Sequence, residues 1–366
     1  MLNRLPYYLD LLSLNWFIPL VEIARGGDRA FYLRRLLRMV GLPLLAITAF
    51  LLLWHGVARS VRIGSMTLPT PGVVWARSGE LVTEWQGERA RKVTYEAEFA
   101  KELAANPEMS EKELRGFMPF EVKRTFVDNV ITSLLTVFAG FAIAMLVAVP
   151  LGIVCGASRV VYEMLNPLIQ IFKPVSPLAW FPVVFIIINS STTGSADPVV
   201  ATGYQNPIGR ATDWLGETIF WFSNQPKNFR IAAIVVALCS IWPTLINTAN
   251  GVANVDKDYL NVAKVLNLSW FQRVWRIILP ATLPAIFTGM RLSLGIAWMV
   301  LIAAEMMSVS PGLGMFIWNW YQSSNETSLG YLLTAVICIG LIGFIIDRMM
   351  ISLQKVASRG NTAAIR

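Results

Sequence analysis

The run NVDKDYLNVAKVLNLSWFQRVWRIILP, residues 254–280, decides how this chain is read, because it is a polar stretch set between two segments apolar enough for a membrane. Tyr259, Val262, Ala263 and Leu266 fall at i, i+3, i+4 and i+7, which puts one apolar stripe on a first short helix. Asn267 breaks that helix, since asparagine tolerates the left-handed conformation used at helix C-caps. Ser269 and Gln272 have the spacing of a capping box that starts a second helix. Phe271, Val274, Trp275 and Ile278 then repeat the pattern, with Gln272, Arg273 and Arg276 on the wet side, and Pro280 predicts the stop. A two-helix hairpin outside the membrane follows. On periodicity alone it reads as an ordinary interfacial helix pair.

Composition places the surroundings of this hairpin in a bilayer. Hydrophobic residues make up 55% of the chain against 15% charged, and the mean hydropathy is +0.54, values that soluble domains rarely reach. The formal net charge of +8 is not a nucleic-acid signature, because of where it sits. Arg25, Arg29, Arg34, Arg35 and Arg38 precede the first span, Arg159 and Lys173 flank what reads as a short loop, and Arg348, Lys355 and Arg359 follow the last span. That is the positive-inside pattern, with both termini cytoplasmic. Cys155, Cys239 and Cys338 lie in or beside apolar runs, and no C-x-x-C occurs, so neither a disulfide framework nor a metal site is expected. His55, the one histidine, reads as an interfacial side chain.

The expected fold is all-α and integral to the membrane, with six spans near 39–58, 129–152, 174–189, 231–249, 281–306 and 327–346. Residues 1–38 form an amphipathic cytoplasmic lead-in and 353–366 a cytoplasmic tail. Residues 59–124 leave the membrane on the outer side and carry a charged helical insertion, in which Ser110 and Glu113 predict a capping box. A second outer insertion occupies 190–228 and turns amphipathic around Trp214–Phe222. Gly140 with its alanine neighbours predicts close helix packing in the second span, and Gly152 to Ser158 reads as its exit turn. Pro174, Pro177 and Pro182 predict that the third span is broken, as helices that line cavities often are.

Two charges stand in the fifth span. Arg291 and Glu305 each cost about 2.5–3.5 kcal/mol at a helix centre on insertion scales. Arg291, Trp298 and Glu305 are each seven residues apart and share one face. A rise of about 1.5 Å per residue separates the two charges by about 21 Å, too far to pair with each other. The stripe either faces a hydrophilic pathway, with Arg291 attracting an anion and Glu305 at an outer gate, or is satisfied by headgroups and by another helix. No G-x-x-x-x-G-K-[ST] loop or dinucleotide fingerprint is present, so an energy source would have to come from a partner.

Asn261-Val262-Ala263, Asn267 and Ile277-x-Leu279-Pro280 resemble the EAA loop of ABC-importer permeases, a Glu-Ala-Ala triplet, a Gly and a closing Ile-x-Leu-Pro. Asn261 and Val262 stand where that family has Glu and the first Ala, and Asn267 where it has Gly, which keeps the hairpin and leaves the usual acidic contact unsupported. Ile241-Trp242-Pro243, Ile246-Asn247-Thr248, Asp258-Tyr259, Pro280-Ala281-Thr282, Phe287-Thr288-Gly289 and Ala303-Ala304-Glu305-Met306 are similar to the nitrate/nitrite-type branch of the taurine and sulfonate permeases. Lys173-Pro174, Ser176-Pro177 and Leu178-Ala179-Trp180 resemble a further signature of the family.

The resemblance implies a five-helix type I importer core over 125–352, with the hairpin at 254–280 docking on ATPase subunits through Asp258, Tyr259, Asn261, Val262, Ala263, Lys264, Leu266 and Asn267. It implies a pathway near Arg291, Trp298, Glu305, Trp180 and Asn189. It further implies a second permease subunit, an extracytoplasmic anion-binding protein, and ATP with Mg held by the ATPases and not by this chain. Nitrate is the substrate it suggests, with bicarbonate, cyanate and organic sulfonates open. A secondary transporter or channel is the rival class, although it would leave the hairpin without a task.

Overall fold

The computed structural model describes residues 15–25, 28–63, 66–106, 109–190, 225–323 and 325–363. The amphipathic stretch expected at Trp214–Phe222 and the first 14 residues of the lead-in lie outside the described residues. In chain order the helices are α1 (Ile18–Ala24), α2 (Arg29–Leu36), α3 (Leu42–Ser60), α4 (Pro71–Ala105), α5 (Glu111–Phe117), α6 (Phe126–Ala157), α7 (Arg159–Phe172), α8 (Pro177–Ser190), α9 (Lys227–Ala253), α10 (Lys257–Val265), α11 (Trp270–Arg273), α12 (Leu279–Ser308), α13 (Leu313–Ser323) and α14 (Glu326–Ala363). Among the described residues the only strands are a two-residue pair that registers Arg62 on Thr67 and Ile63 on Met66. Among the described residues five helical runs are long and apolar enough to cross a membrane, Arg29–Ser60, Phe126–Ala157, Lys227–Ala253, Trp270–Ser308 and Thr327–Ala357, and the pair α7–α8 makes six if counted as one broken span.

Contacts divide the chain into two compact units, one comprising residues 1–53, 135–310 and 339–366, the other 54–134 and 311–338. In the first unit, the backbones of α6, α9 and α12 approach so closely that side chains are excluded. A Cβ on Gly156 would lie 2.4 Å from the Ala249 carbonyl oxygen, one on Gly140 2.5 Å from that of Ala233, and one on Gly289 2.8 Å from the Thr244 Cα. Small residues are what permit such contact between helices in lipid. Pro243 interrupts α9, and the following N–H, that of Thr244, donates to the Ser293 hydroxyl at 3.1 Å while the two hydroxyls bond at 2.8 Å. All of this is fully buried, so α12 satisfies polar groups that neither lipid nor α9 could.

Three expectations are corrected here. α6 runs through Gly152, which packs on Thr248, and the turn falls at Ser158, whose hydroxyl accepts from the Val161 N–H and caps α7. Residues 159–173 are therefore an amphipathic helix and not a short loop. The third span is not one helix from Pro174: α7 and α8 meet at 103°, broken around Lys173–Ser176, while Pro182 sits inside a continuous α8. At 14 residues, α8 is about 21 Å long and falls short of a hydrocarbon core of about 30 Å. α12 ends at Val309, whose φ of 52° is left-handed and costly for a β-branched residue. Its carbonyl accepts from Asn228 Nδ2 at 3.3 Å.

The second unit is built on α4, which starts at Pro71 in the first-turn position that proline favours and runs 35 residues. The charged insertion is thus longer than the sequence suggests. Tyr95 stacks on Phe120 with 4.5 Å between centroids and donates its hydroxyl to the Met118 carbonyl, closing the turn after α5. The Ser110–Glu113 capping box forms as expected, and the Ser110 N–H holds the Glu113 carboxyl below its usual range. Lys123 pairs with Glu84 at 2.6 Å, which raises the lysine's affinity for its proton.

Candidate coupling hairpin and intramembrane ion pair

α10 and α11 form the hairpin that residues 254–280 foretell. Asp256 caps α10 by accepting from the Asp258 N–H, and Asn267 adopts φ 46°. The Leu268 N–H reaches the Ala263 carbonyl and the Asn267 N–H that of Lys264, each at 3.0 Å, which is the Schellman closure that a left-handed residue allows. Ser269 and Gln272 complete their capping box. The second helix does not stop at Pro280. It passes through a wide turn at Val274–Ile278, with its carbonyls shared one residue further on, and continues directly into α12. Such a turn absorbs the proline ring and the missing N–H without ending the helix.

That wide turn also splits the expected second stripe. Val274 and Ile278 are buried against Ile153 of α6 and Val252 of α9, with Leu260 packed on the same cluster, and these anchor the hairpin. The rest of the apolar surface faces outward: Val262 is 53% exposed, Leu266 63%, Phe271 64% and Trp275 57%. Tyr259, Asp258, Asn261, Lys264 and Asn267 are exposed with them, whereas Ala263 is fully buried inside the hairpin. A 500 Å³ cavity lies beneath, lined by Tyr259, Arg276 and Pro280 among others.

Seven residues apart, Arg291, Trp298 and Glu305 share a face, and the partners of the first two come from α14. The Arg291 guanidinium forms a two-pronged pair with Asp347, Nε to Oδ1 at 2.7 Å and Nη2 to Oδ2 at 3.2 Å. Trp298 Nε1 donates to the Ile339 carbonyl at 3.1 Å, and its ring fits where Gly343 has no side chain. Glu305 is fully buried. Sequence reasoning missed Asp347. Its signal was available, a carboxylate in an apolar run that must find a cation, but the partner is 56 residues away. Trp180 lies in α8 with its ring 5.6 Å from Phe172, and its indole N–H is buried without a partner. Asn189 is half-buried near the end of the same helix. The five residues are thus spread over α8 and the α12–α14 seam.

The helices, the broken pair and the anchored hairpin with an open apolar face define a polytopic membrane protein built to engage a partner. Residues 148–356 match the family described as "Binding-protein-dependent transport system inner membrane component". The chain is 32% identical to the bicarbonate transport system permease protein CmpB of Synechococcus elongatus, over 91% of this chain and 96% of that one. It is also 32% identical to the nitrate import permease protein NrtB of Synechocystis, over 62% of this chain and 68% of the relative. A putative ABC transporter permease protein of Methanocaldococcus jannaschii is likewise 32% identical, over 61% and 69%. The chain belongs to the binding-protein-dependent transport family, as an inner-membrane permease subunit of an ABC transporter.

Proposed function

We propose that this permease serves an importer of small monovalent oxyanions, with nitrate, together with nitrite, as the main substrate. The observation that carries the reading is the pair of relatives named for nitrate and bicarbonate import, both planar anions of one charge. Bicarbonate is the second reading, favoured by the relative that aligns over 91% of the chain. Cyanate and organic sulfonates stand behind these.

ATP and Mg belong to partner ATPases, which dock on Asp258–Asn267, and the exposed Val262, Leu266, Phe271 and Trp275 support that surface. A second permease subunit, taken as an identical copy, and an extracytoplasmic anion-binding protein complete the assembly. The arginines before α3 and after residue 347 favour cytoplasmic termini, with the hairpin on the same side and residues 59–124 outside.

For the pathway, Trp180 and Asn189 on the broken pair are the better candidates, because broken helices commonly line transport pathways and the buried Trp180 indole N–H has no partner among the described residues. Arg291 and Trp298, bound to α14, act by holding the seam, with Glu305 on the same face of α12. Arg291→Ala is expected to cut uptake at least tenfold, and adding Asp347→Ala to restore much of it by removing the orphaned carboxylate. An assembled double variant that stays inactive would return Arg291 to the pathway.

The test of function is labelled-nitrate uptake in cells lacking other nitrate transporters, with this gene deleted and restored, challenged by unlabelled nitrite, bicarbonate, cyanate and taurine. Loss on deletion and rescue on restoration, with competition by nitrite, is expected. Nitrate uptake unaffected by deletion would discard nitrate, and labelled bicarbonate would be run next.

A further inference from the structure

An open pocket of about 400 Å³ with a mixed polar and apolar lining lies in the second unit, where the start of α6 meets the segment after Pro311. Among the described residues Arg124 is the charged residue that lines it, exposed like Asn319, with half-buried Asn129 and the apolar Met315 and Phe316 completing the walls. Among the described residues the Arg124 guanidinium makes no hydrogen bond or ion pair, and neither carboxamide has a partner. The nearby carboxylate is already committed. Asp128 accepts from the Thr125 N–H at 3.1 Å and its hydroxyl at 2.7 Å, and pairs with Arg89 at 3.7 Å. The Leu313 N–H donates to Ser133 Oγ at 2.8 Å, Phe126 meets Phe316 edge-on at 4.9 Å, and Trp320 stacks on Tyr331 at 4.3 Å.

We propose that Arg124, Asn129 and Asn319 form a receiving subsite for a small planar oxyanion on the outer side of the permease, an inference that rests on the oxyanion-importer reading. A guanidinium offers parallel N–H donors that match two oxygens of a trigonal anion, and the carboxamides supply donors for the third. Arg124 lies within electrostatic range of Asp128 but forms no hydrogen bond with it, which leaves its donors for one negative charge. At about 30 Å³ per water, the volume admits such an anion with part of its hydration shell. Arg124 also lines a neighbouring pocket of about 470 Å³, where Arg89, Lys92 and Lys123 are each paired with a carboxylate, Asp128, Glu96 and Glu84, so among the described residues Arg124 is the cation there that is left without an ion pair. A concave site lined by amide groups suits a small anion better than a protruding carboxylate of a docking protein.

The test uses the complete transporter, with its ATPases and binding protein, in proteoliposomes, and reads labelled nitrate uptake with labelled bicarbonate in parallel. Arg124→Gln is expected to lower the maximal rate at least tenfold and Arg124→Lys less. Asn319→Leu, on the facing helix, is expected to lower it about threefold to tenfold. The half-saturating concentration of binding protein should stay within twofold in all three. Lys112→Gln, which removes an exposed charge elsewhere in the same unit, should transport as wild type does. If Arg124→Gln and Asn319→Leu both transport at the wild-type rate, the subsite does not exist. If the loss instead appears wholly as weaker binding-protein association, Arg124 is a docking contact and the proposal is overturned. Should Arg124→Gln not assemble with the ATPases, Asn319→Leu decides alone. Failure of the oxyanion reading would look different, since wild type itself would then move neither anion.

Discussion

The hairpin at 256–278 and the helices at 71–117 are both amphipathic and charged, yet they finish their surfaces in opposite ways. The second region consumes its own side chains: Tyr95 closes on Met118 and Phe120, Lys123 on Glu84, and Glu80 takes both Arg77 and the Tyr331 hydroxyl, the latter at 2.6 Å. The hairpin anchors itself through the apolar Leu260, Val274 and Ile278 and carries no such polar closure over its exposed Val262, Leu266, Phe271 and Trp275, while α4 and α5 leave Trp75, Val93 and Phe117 exposed beside their ion pairs. Apolar area left exposed is what a protein or lipid surface covers.

The sharpest way to break this contrast is to charge both surfaces. Val262→Asp with Leu266→Asp is expected to reduce co-purification of the ATPases and uptake at least tenfold, whereas Val82→Asp with Val93→Asp, at exposed sites of α4, should leave both near wild type. Ala263→Asp is the poorer probe, because Ala263 is buried and its loss would disturb the hairpin itself. Equal losses from the two pairs would dissolve the distinction.

A smaller effect is expected at Asn267, where a β-branched residue must enter the left-handed region. Asn267→Val should cost about 1–2 kcal/mol, read as a lower midpoint of hairpin unfolding, and Asn267→Gly should be neutral or better.

Acid probes the self-satisfied region. The Tyr331 hydroxyl, followed by Arg77, holds the Glu80 carboxyl below its usual range. Its contribution is therefore complete above the ordinary glutamate pKa and is lost as pH falls through the depressed native value. Hydrogen exchange along α4 should rise on acidification through that window, and Glu80→Gln should flatten the dependence. An unaltered pH profile in Glu80→Gln would detach Glu80 from that behaviour. The smallest change is expected for Ser110→Ala, confined to faster exchange over 111–117 as the cap is lost.

What the sequence made legible was local. Asn267, the two capping boxes and the apolar runs all act within a few residues, so their readings carry over to the structure. The break between α7 and α8 was half visible: prolines announced it, but a 14-residue amphipathic helix lying across the chain path looks like a loop between charges. Pro280 was misread as a stop because a wide turn, which the sequence does not signal, can carry a helix past a proline. Asp347 and Ile339 as the partners of Arg291 and Trp298 depend on where α14 returns, and no local pattern specifies that. The pocket at Arg124 depends on tertiary placement in the same way, since residues near 124 and 319 meet only in the folded chain.

The continuity from Trp270 to Ser308 has a mechanical consequence. Those 39 residues make a rod about 58 Å long at about 1.5 Å per residue. Its first turns lie beside the hairpin's open face, and its far end is the left-handed Val309. A push on the hairpin has no loop in which to dissipate. The wide turn at Val274–Ile278 and the prolines Pro280 and Pro284 that follow it lie near the hairpin end of the shaft, so a displacement applied there would pass on as tilt or translation of the whole helix.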